Sequence, residues 1–290
     1  MLFTITPFIA LAALVSIPGA FAAAIKKPSF NIVAFGDSLS DNGNSFNLIT
    51  NKTMPPSPYY TNGRWSNGPV WAEYLAQTAN ANLVDLAFGI STSNTDVNPA
   101  IEHGTRYPTM PGFVQQVDQF LSRRSKDAKP NKTVATVWTG GNDYIHAPEL
   151  GKTVNAADVV AFTMQGINKL IDAGYDDLIV FNLPPSSYVP FAEHNLRLGA
   201  ALATLKLTKP KANVVAIDMV ATFAAIAGQL LVKNPKTDLQ GGCLDLTTMT
   251  ICPNVQDFAL WDGLHPTTAT HALIAADVGA VAKVAFPKYF

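Results

Sequence analysis

The chain has 290 residues, of which 48% are hydrophobic and 14% are charged, and its formal net charge is -1. This composition is typical of a globular protein and excludes the disordered and fibrous classes. The balanced charge argues against nucleic acid and anionic membrane surfaces as partners, because neither would find a basic stripe on this chain.

The first 22 residues have the features of a secretory signal peptide. An apolar stretch runs from Ile9 to Ile17 and is followed by the small-residue pattern Ala20-Phe21-Ala22. The usual positive residues before the apolar stretch are missing, which leaves an N-terminal membrane anchor as the alternative. The stretch is, however, shorter than the ~20 residues that a spanning helix needs. We therefore expect a cleaved leader, one mature domain over residues 23–290, a secreted, extracellular protein and no stable membrane insertion.

Two sequons and two cysteines agree with secretion. Asn51 and Asn131 each begin an Asn-Lys-Thr triplet, the acceptor pattern for N-glycosylation. The chain has only two cysteines, Cys243 and Cys252, which lie close together in a glycine-rich stretch. In an oxidising compartment they are expected to form a disulfide, with two free thiols as the alternative. A zinc site is not expected, because no histidine lies at ligand spacing around them.

Short apolar runs alternate with longer helical patterns along the chain. The runs predict strands at Asn31–Phe35, Asn82–Phe88, Thr133–Trp138, Asp177–Asn182 and Asn213–Ile217. The helical patterns cover Pro69–Ala79, Gly112–Arg124, Ala156–Ala173, Phe191–Leu207 and Thr267–Ala285. Continuous apolar strands separated by helices predict a parallel sheet covered on both faces. The expected fold is α/β, a flavodoxin-like three-layer α/β/α sandwich.

Two long irregular stretches interrupt this alternation. Residues Asn44–Asn67 are rich in Pro, Tyr and Asn, and residues Ser91–Pro111 show little periodicity. Loops of this length in a compact domain often form the walls or lid of a site, and plain surface packing is the alternative.

A serine and a histidine stand at positions suited to nucleophilic catalysis. Ser38 follows the first predicted strand, and Gly36 allows the backbone to turn there. Its hydroxyl could attack an ester if a base removed its proton; the alternative is a helix-capping serine. His265 is the natural base, because Asp262 can hold its Nδ1–H and leave Nε2 free. The alternative is that Asp262 and His265 form a turn that caps the last helix.

Two further residues could stabilise an oxyanion. The Gly89 backbone N–H and the Asn142 side-chain N–H, together with the Ser38 N–H, could hold the oxygen of a tetrahedral intermediate. A turn glycine and an Asx-turn asparagine are the alternatives. The remaining histidines lack a comparable partner in the sequence and are expected to be surface or structural residues: His103, His146, His194 and His271.

Four segments in this order resemble blocks I, II, III and V of the GDSL, or SGNH, esterase/lipase superfamily. They are Phe35–Ser40, Leu86–Gly89, Gly140–Asp143 and Trp261–Pro266. The resemblance implies a flavodoxin-like fold with Ser38 as nucleophile, His265 and Asp262 as the base pair, and Gly89 and Asn142 as oxyanion donors.

One stretch narrows the resemblance to a branch of the superfamily. Residues Tyr59–Trp71 are similar to the branch that holds secreted bacterial phospholipases and acyltransferases and fungal carbohydrate acetyl esterases. Ile90 stands where that branch often has a second glycine, which leaves the acyl-chain preference open.

These observations predict a secreted serine carboxylic-ester hydrolase that is a monomer and uses no cofactor and no metal. Its substrate is expected to be a small-molecule or oligosaccharide ester. Acetyl esters of carbohydrate are the leading expectation, because the chain shows no extended apolar lid segment. The alternatives are a phospholipase, lipase or acyltransferase acting on longer acyl chains, and a non-catalytic carbohydrate- or lipid-binding protein on the same scaffold.

Overall fold

Strands and helices alternate in the computed structural model, which describes residues 28–123, 128–186 and 189–290. The predicted leader, residues 1–22, lies outside the described residues. The strands are β1 (Asn31–Gly36), β2 (Asn82–Asp85), β3 (Ile101–Glu102), β4 (Thr105–Arg106), β5 (Thr133–Trp138), β6 (Asp177–Phe181), β7 (Asn213–Ile217), β8 (Asp238–Gly242), β9 (Leu244–Asp245), β10 (Thr250–Ile251) and β11 (Phe258–Leu260). The helices are α1 (Trp71–Thr78), α2 (Phe113–Ser122), α3 (Gly141–Ile145), α4 (Ala156–Asp172), α5 (Val189–Thr208), α6 (Met219–Lys233) and α7 (Thr268–Ala285).

The centre of the fold is a five-stranded sheet in the order β2-β1-β5-β6-β7. All neighbouring strands are parallel, and β1 pairs with β5 from Asn31 opposite Thr133 to Gly36 opposite Trp138. Every residue of β1, β5 and β6 is buried. This burial explains why these strands are apolar almost throughout, since a parallel sheet is covered on both faces.

Helices cover both faces of the sheet. Ile32 packs in a core shared with α1, α6 and α7, whereas Val33 packs in a core shared with α2, α4 and α5. Successive side chains of a strand point to opposite faces, so a single apolar strand contributes to both cores. The predicted three-layer α/β/α fold is confirmed.

Helix α6 and the end of β2 are two of the differences from the prediction. The second strand ends at Asp85 rather than Phe88, because the Asp85 carboxylate accepts the Ala87 N–H (2.9 Å) and turns the chain. Helix α6 was not predicted, since its sequence is apolar almost throughout and shows no amphipathic period. Its N-cap, Asp218, accepts the backbone N–H groups of Val220 and Ala221. This aspartate was the feature of the sequence that could have indicated the start of the helix.

The carboxyl ends of the central strands bring the predicted segments to one edge of the sheet. Ser38 follows β1, and Gly89 and Asn142 follow β2 and β5. At Gly36 a Cβ atom would lie 2.3 Å from the Trp138 carbonyl oxygen, so only glycine fits where the chain leaves β1. Ligand sites of open α/β sheets form outside such strand ends.

The loop that carries Asp262 and His265 is held against the segment that follows β8. The Cys243 N–H donates to the Leu260 carbonyl (3.3 Å) and the Leu244 N–H to the Trp261 carbonyl (2.6 Å). Cys243 also forms a disulfide with Cys252, which closes the short β9–β10 hairpin, and the predicted pairing is confirmed. A covalently closed hairpin therefore lies beside the loop before α7.

Candidate active site

A continuous chain of hydrogen bonds joins the serine, the histidine and the aspartate. The Ser38 Oγ lies 2.9 Å from His265 Nε2, and His265 Nδ1 lies 2.7 Å from Asp262 Oδ2. Ser38 is 7% exposed, His265 6% exposed and the Asp262 side chain 3% exposed. The structure thus brings together three residues whose separation along the chain reaches 227 positions.

The local backbone explains how the base loop is shaped. Asp262 Oδ1 accepts the backbone N–H groups of Leu264 (3.0 Å) and His265 (2.8 Å), which closes an Asx turn. Gly263 follows Asp262 with a φ of 84°. The turn points the imidazole toward Ser38 rather than leaving it to cap α7, whose N-cap is Thr267.

The charges of this pair stabilise each other. Burial alone would raise the pKa of Asp262, but the charge and hydrogen bonds of His265, with the Tyr60 hydroxyl, lower it to about 2. Burial alone would lower the pKa of His265, but the charge and hydrogen bond of Asp262 raise it above its usual value. A neutral imidazole in this setting can accept a proton, and the resulting imidazolium is stabilised.

Asn142 lies beside the serine, at the second position of α3. One of its side-chain N–H groups donates to the Ser91 carbonyl (2.9 Å). The amide carries two N–H donors, so one remains for a ligand. The carboxyl end of β5 and the short helix after it therefore fix the side chain that the sequence predicted.

Gly89 does not present its N–H as predicted. That N–H donates to Asp41 Oδ2 (2.8 Å) and to the Ser45 hydroxyl. Asp41 is fully buried, and its carboxylate needs these donors. Gly89 also faces Trp65, where a Cβ atom would lie 2.1 Å from the indole nitrogen, so glycine is required there by packing.

The residue after Gly89 offers the next donor on this turn. Ile90 is 3% exposed and has a φ of 56°, which is rare for a β-branched residue. Within the described part of the chain neither the Ile90 N–H nor the Ser38 N–H has a hydrogen-bond acceptor. No sequence pattern could have predicted a positive φ at this non-glycine position.

A cavity of about 880 Å³ opens at these residues. Ser38, Asn142 and His265 line it, and most of its other lining side chains are apolar. Helix α6 supplies six of these lining residues: Val220, Phe223, Ala224, Ile226, Ala227 and Leu230. An apolar cavity that meets a few convergent polar groups is the usual form of a small-molecule site.

His194 and His271, two of the other buried histidines, are engaged in packing contacts. His194 Nδ1 lies 2.9 Å from the Tyr144 hydroxyl, and burial lowers the pKa of His194 to about 4. His271 Nδ1 accepts the Trp71 N–H (3.3 Å), and burial lowers the pKa of His271 to about 3. Both imidazoles are therefore neutral parts of the packing.

Sequence reasoning missed two residues of the long stretch before α1. The Tyr60 hydroxyl donates to Asp262 Oδ2 (2.6 Å), and the Trp65 ring lies 5.1 Å from the His265 ring, centroid to centroid. The similarity of Tyr59–Trp71 to one branch of the superfamily was the signal, but it carried no role for either side chain. Through Tyr60 and Trp65 this stretch contacts Asp262 and His265.

Among residues 28–123, 128–186 and 189–290, no group of three or more His, Cys, Asp or Glu side chains is placed to hold a metal ion. Over the same residues no helix is long and apolar enough to cross a membrane.

Comparison with known proteins identifies the family of the chain. The family described as GDSL-like Lipase/Acylhydrolase matches residues 32–278. The thermolabile hemolysin of Vibrio parahaemolyticus is 26% identical over 273 residues, which cover 84% of this chain and 62% of that protein. The phosphatidylcholine-sterol acyltransferase of Aeromonas hydrophila is 33% identical over 181 residues, which cover 62% of this chain and 52% of that protein.

Solved structures agree on the fold. A Corynascus thermopiles carbohydrate esterase of family 2, solved with a carbohydrate-binding domain, superposes with a TM-score of 0.53 at 16% identity. The match covers 93% of this chain and 69% of that one.

The chain belongs to the GDSL-like lipase/acylhydrolase family. It spans just over half to about three fifths of the length of the two bacterial relatives, at 52% and 62%.

Proposed function

We propose that the protein is a serine carboxylic-ester hydrolase in which Ser38 is the nucleophile, His265 the general base and Asp262 its partner. The unbroken chain of hydrogen bonds from Ser38 Oγ to Asp262 Oδ2 is the observation that carries this proposal. A serine hydroxyl is a weak nucleophile until a neighbouring base takes its proton.

The reaction follows from the positions of these groups. Ser38 Oγ attacks the ester carbonyl while His265 Nε2 accepts its proton, and the tetrahedral intermediate forms. His265 then donates this proton to the departing alcohol, which leaves an acyl group on Ser38. A water molecule attacks the acyl-enzyme by the same route, with His265 again as base and then as acid.

Three N–H donors are proposed for the oxyanion. They are the backbone N–H groups of Ser38 and Ile90 and the free side-chain N–H of Asn142. Ile90 replaces the predicted Gly89 in this role, because the Gly89 N–H is bound to Asp41 and Ser45. One such donor contributes roughly 3–4 kcal/mol to the stability of the transition state.

The apolar cavity supports longer acyl chains as the substrate class. An acetyl group would occupy little of about 880 Å³, whereas an alkyl chain would bury apolar surface against α6. The names of the bacterial relatives, an acyltransferase acting between phosphatidylcholine and a sterol and a hemolysin, support a lipid ester. The alternative of a lipase or phospholipase is therefore favoured over acetyl esters of carbohydrate.

Export and a single mature domain over residues 23–290 remain part of the proposal. The disulfide between Cys243 and Cys252 suits an oxidising compartment. Asn51 and Asn131 are both exposed, so both sequons are open to glycosylation. The expectation of a monomer also stays a prediction.

The first test removes the nucleophile. Turnover of nitrophenyl esters by Ser38→Ala should fall by about 10⁴-fold or more, because the acyl-enzyme cannot form. A fluorophosphonate probe should label the wild type and not the variant. Ser122→Ala, which removes an exposed hydroxyl at the end of α2, is the control. It should keep both the turnover of nitrophenyl esters and the labelling by the probe.

The same assay decides the substrate class. Wild-type protein should hydrolyse nitrophenyl palmitate with a higher kcat/KM than nitrophenyl acetate. A preference for acetate would return the proposal to short acyl esters. Full activity of Ser38→Ala would contradict the mechanism itself.

A further inference from the structure

The Asp262 carboxylate is held by a residue from a distant part of the chain. Three of its hydrogen-bond donors belong to its own loop: the N–H groups of Leu264 and His265, and His265 Nδ1. The fourth is the hydroxyl of Tyr60, 202 positions away, at 2.6 Å from Oδ2. Tyr60 and His265 thus share one carboxylate oxygen.

Tyr60 is fixed by the segment that carries it. Ser66 Oγ donates to the Pro266 carbonyl (2.9 Å), and Asn67 Oδ1 accepts the Thr268 N–H (2.8 Å). The Thr61 N–H donates to the Ser66 carbonyl (3.0 Å), which folds the segment back on itself. The segment is therefore tied to the chain on the C-terminal side of His265.

The rings of this segment complete the support. Trp65 packs against the imidazole of His265, and the Tyr60 ring packs against Trp65 at 5.9 Å between centroids. Tyr60 is 5% exposed, so its hydroxyl has little contact with water that could replace its bond to Asp262. The contact is therefore shielded from solvent and fixed by its neighbours.

We propose that Tyr60 is a positioning residue for the catalytic base, acting through Asp262. Its hydroxyl fixes the rotation of the carboxylate and takes part of the charge on the oxygen that faces His265. The inference rests on the proposed function, in which His265 is the base. It assigns a role to the stretch Tyr59–Trp71, which the reaction steps leave without one.

The chemistry of the phenol suits this role. Burial and the charge of Asp262 raise the pKa of Tyr60 well above its usual value, so the hydroxyl remains a donor throughout the neutral range. A hydrogen bond to the charged form of an acid stabilises that form. Without the hydroxyl, the carboxylate charge of Asp262 should therefore interact more strongly with His265.

Two effects are expected when only this hydroxyl is removed. The His265 pKa should rise, because the negative charge on Oδ2 then stabilises the imidazolium without a competing hydrogen bond from Tyr60. The carboxylate should also lose its fixed rotation, and a small misplacement of a catalytic group can cost about 10²-fold in rate. A buried tyrosine that merely fills space would cause neither effect.

The test compares Tyr60→Phe with Tyr59→Phe, a matched control that removes the neighbouring hydroxyl. The pKa of His265 is read by NMR on protein with ¹⁵N-labelled histidine, and kcat and KM are measured with a nitrophenyl ester. In Tyr60→Phe we expect a raised His265 pKa, a kcat about 10- to 100-fold lower and a KM within about twofold. Tyr59→Phe should match the wild type in all three.

Other charged groups around His265 stay constant in this comparison. The charges of Asp37 and Glu102 raise the pKa of His265. His271 also interacts electrostatically with His265. None of them is altered by either variant. A shift seen only in Tyr60→Phe therefore belongs to the bond with Asp262.

The outcomes separate this inference from the proposed function. A Tyr60→Phe variant equal to the wild type in His265 pKa and kcat overturns the role of Tyr60 while leaving the mechanism intact. An active Ser38→Ala variant overturns the mechanism, and the NMR titration still decides whether Tyr60 acts on His265.

A second substitution covers the case in which Tyr60→Phe does not fold. Placing 3-fluorotyrosine at position 60 keeps the hydroxyl and makes it a stronger donor. The His265 pKa should then fall, while the same replacement at position 59 should leave it unchanged. An unmoved pKa at position 60 overturns the proposal.

Discussion

Three carboxylates act on the charge of His265. Asp262 bonds to it directly, and the charges of Asp37, next to Ser38, and of Glu102 add to the effect. All three raise the pKa of His265, so the imidazole gains its proton at a higher pH than usual. A general base must be neutral, and activity should therefore be lost as the pH falls through a value above 6.5.

Replacing Asp37 tests the sign of this effect. Burial raises the pKa of Asp37 to about 7, so its negative charge acts on His265 chiefly above that pH. In Asp37→Asn the Leu39 N–H keeps its acceptor (3.1 Å), but this charge is absent at every pH. The acid limb of kcat/KM should move to lower pH, because the imidazolium loses a stabilising charge. Asp118→Asn, at an exposed site on α2, is the control. An unmoved limb in Asp37→Asn would contradict the electrostatic argument.

Single residues differed in how far the sequence could predict them. Asp262 and His265 lie three positions apart, so their pairing is a local event that spacing can reveal. The N–H of Gly89 was assigned wrongly, because its acceptor Asp41 lies 48 positions earlier and comes close only in the folded chain. Tyr60 was missed for the same reason.

At the level of elements, helix α6 forms one side of the cavity beside Ser38. Ala221 and Ala224 are both exposed and lie one turn apart on this helix, but only Ala224 is among the residues that line the cavity. In Ala224→Trp the indole should fill space that a long chain needs. The ratio of palmitate to butyrate hydrolysis should fall by about 10-fold, a typical effect of pocket size.

Ala221→Trp is the control for this prediction. It adds the same side chain to the same helix away from the cavity, so its chain-length profile should follow the wild type. Equal profiles for Ala224→Trp and the wild type would show that acyl chains bind elsewhere. Both variants need the same thermal stability for the comparison to count.

Elements were predicted where their patterns were local. The parallel strands were visible as apolar runs ended by glycine or a turn, and five helices were found between and after them. Helix α6 escaped because eleven of its residues are apolar, namely Met219, Val220, Ala221, Phe223, Ala224, Ala225, Ile226, Ala227, Leu230, Leu231 and Val232, which leaves no polar face. The expectation of short acyl esters took no account of this helix.

The whole molecule was the easiest level to predict. Alternation of strands and helices restricts the topology to a parallel sheet with helices on both faces, and sites in such folds gather at the strand ends. This rule allowed Ser38 and His265 to be neighbours but did not require it. In the structure Ser38 Oγ lies 2.9 Å from His265 Nε2, a distance that no sequence pattern gives.

The nucleophile is synthesised early and the base late. A ribosome-bound chain carries Ser38 for most of its elongation without a partner for the hydroxyl, so nascent protein should be inert toward esters. After dilution from urea, ester hydrolysis should return with the tryptophan fluorescence and never before it, since contacts between distant positions form slowly. Hydrolysis that led the fluorescence signal would contradict this order.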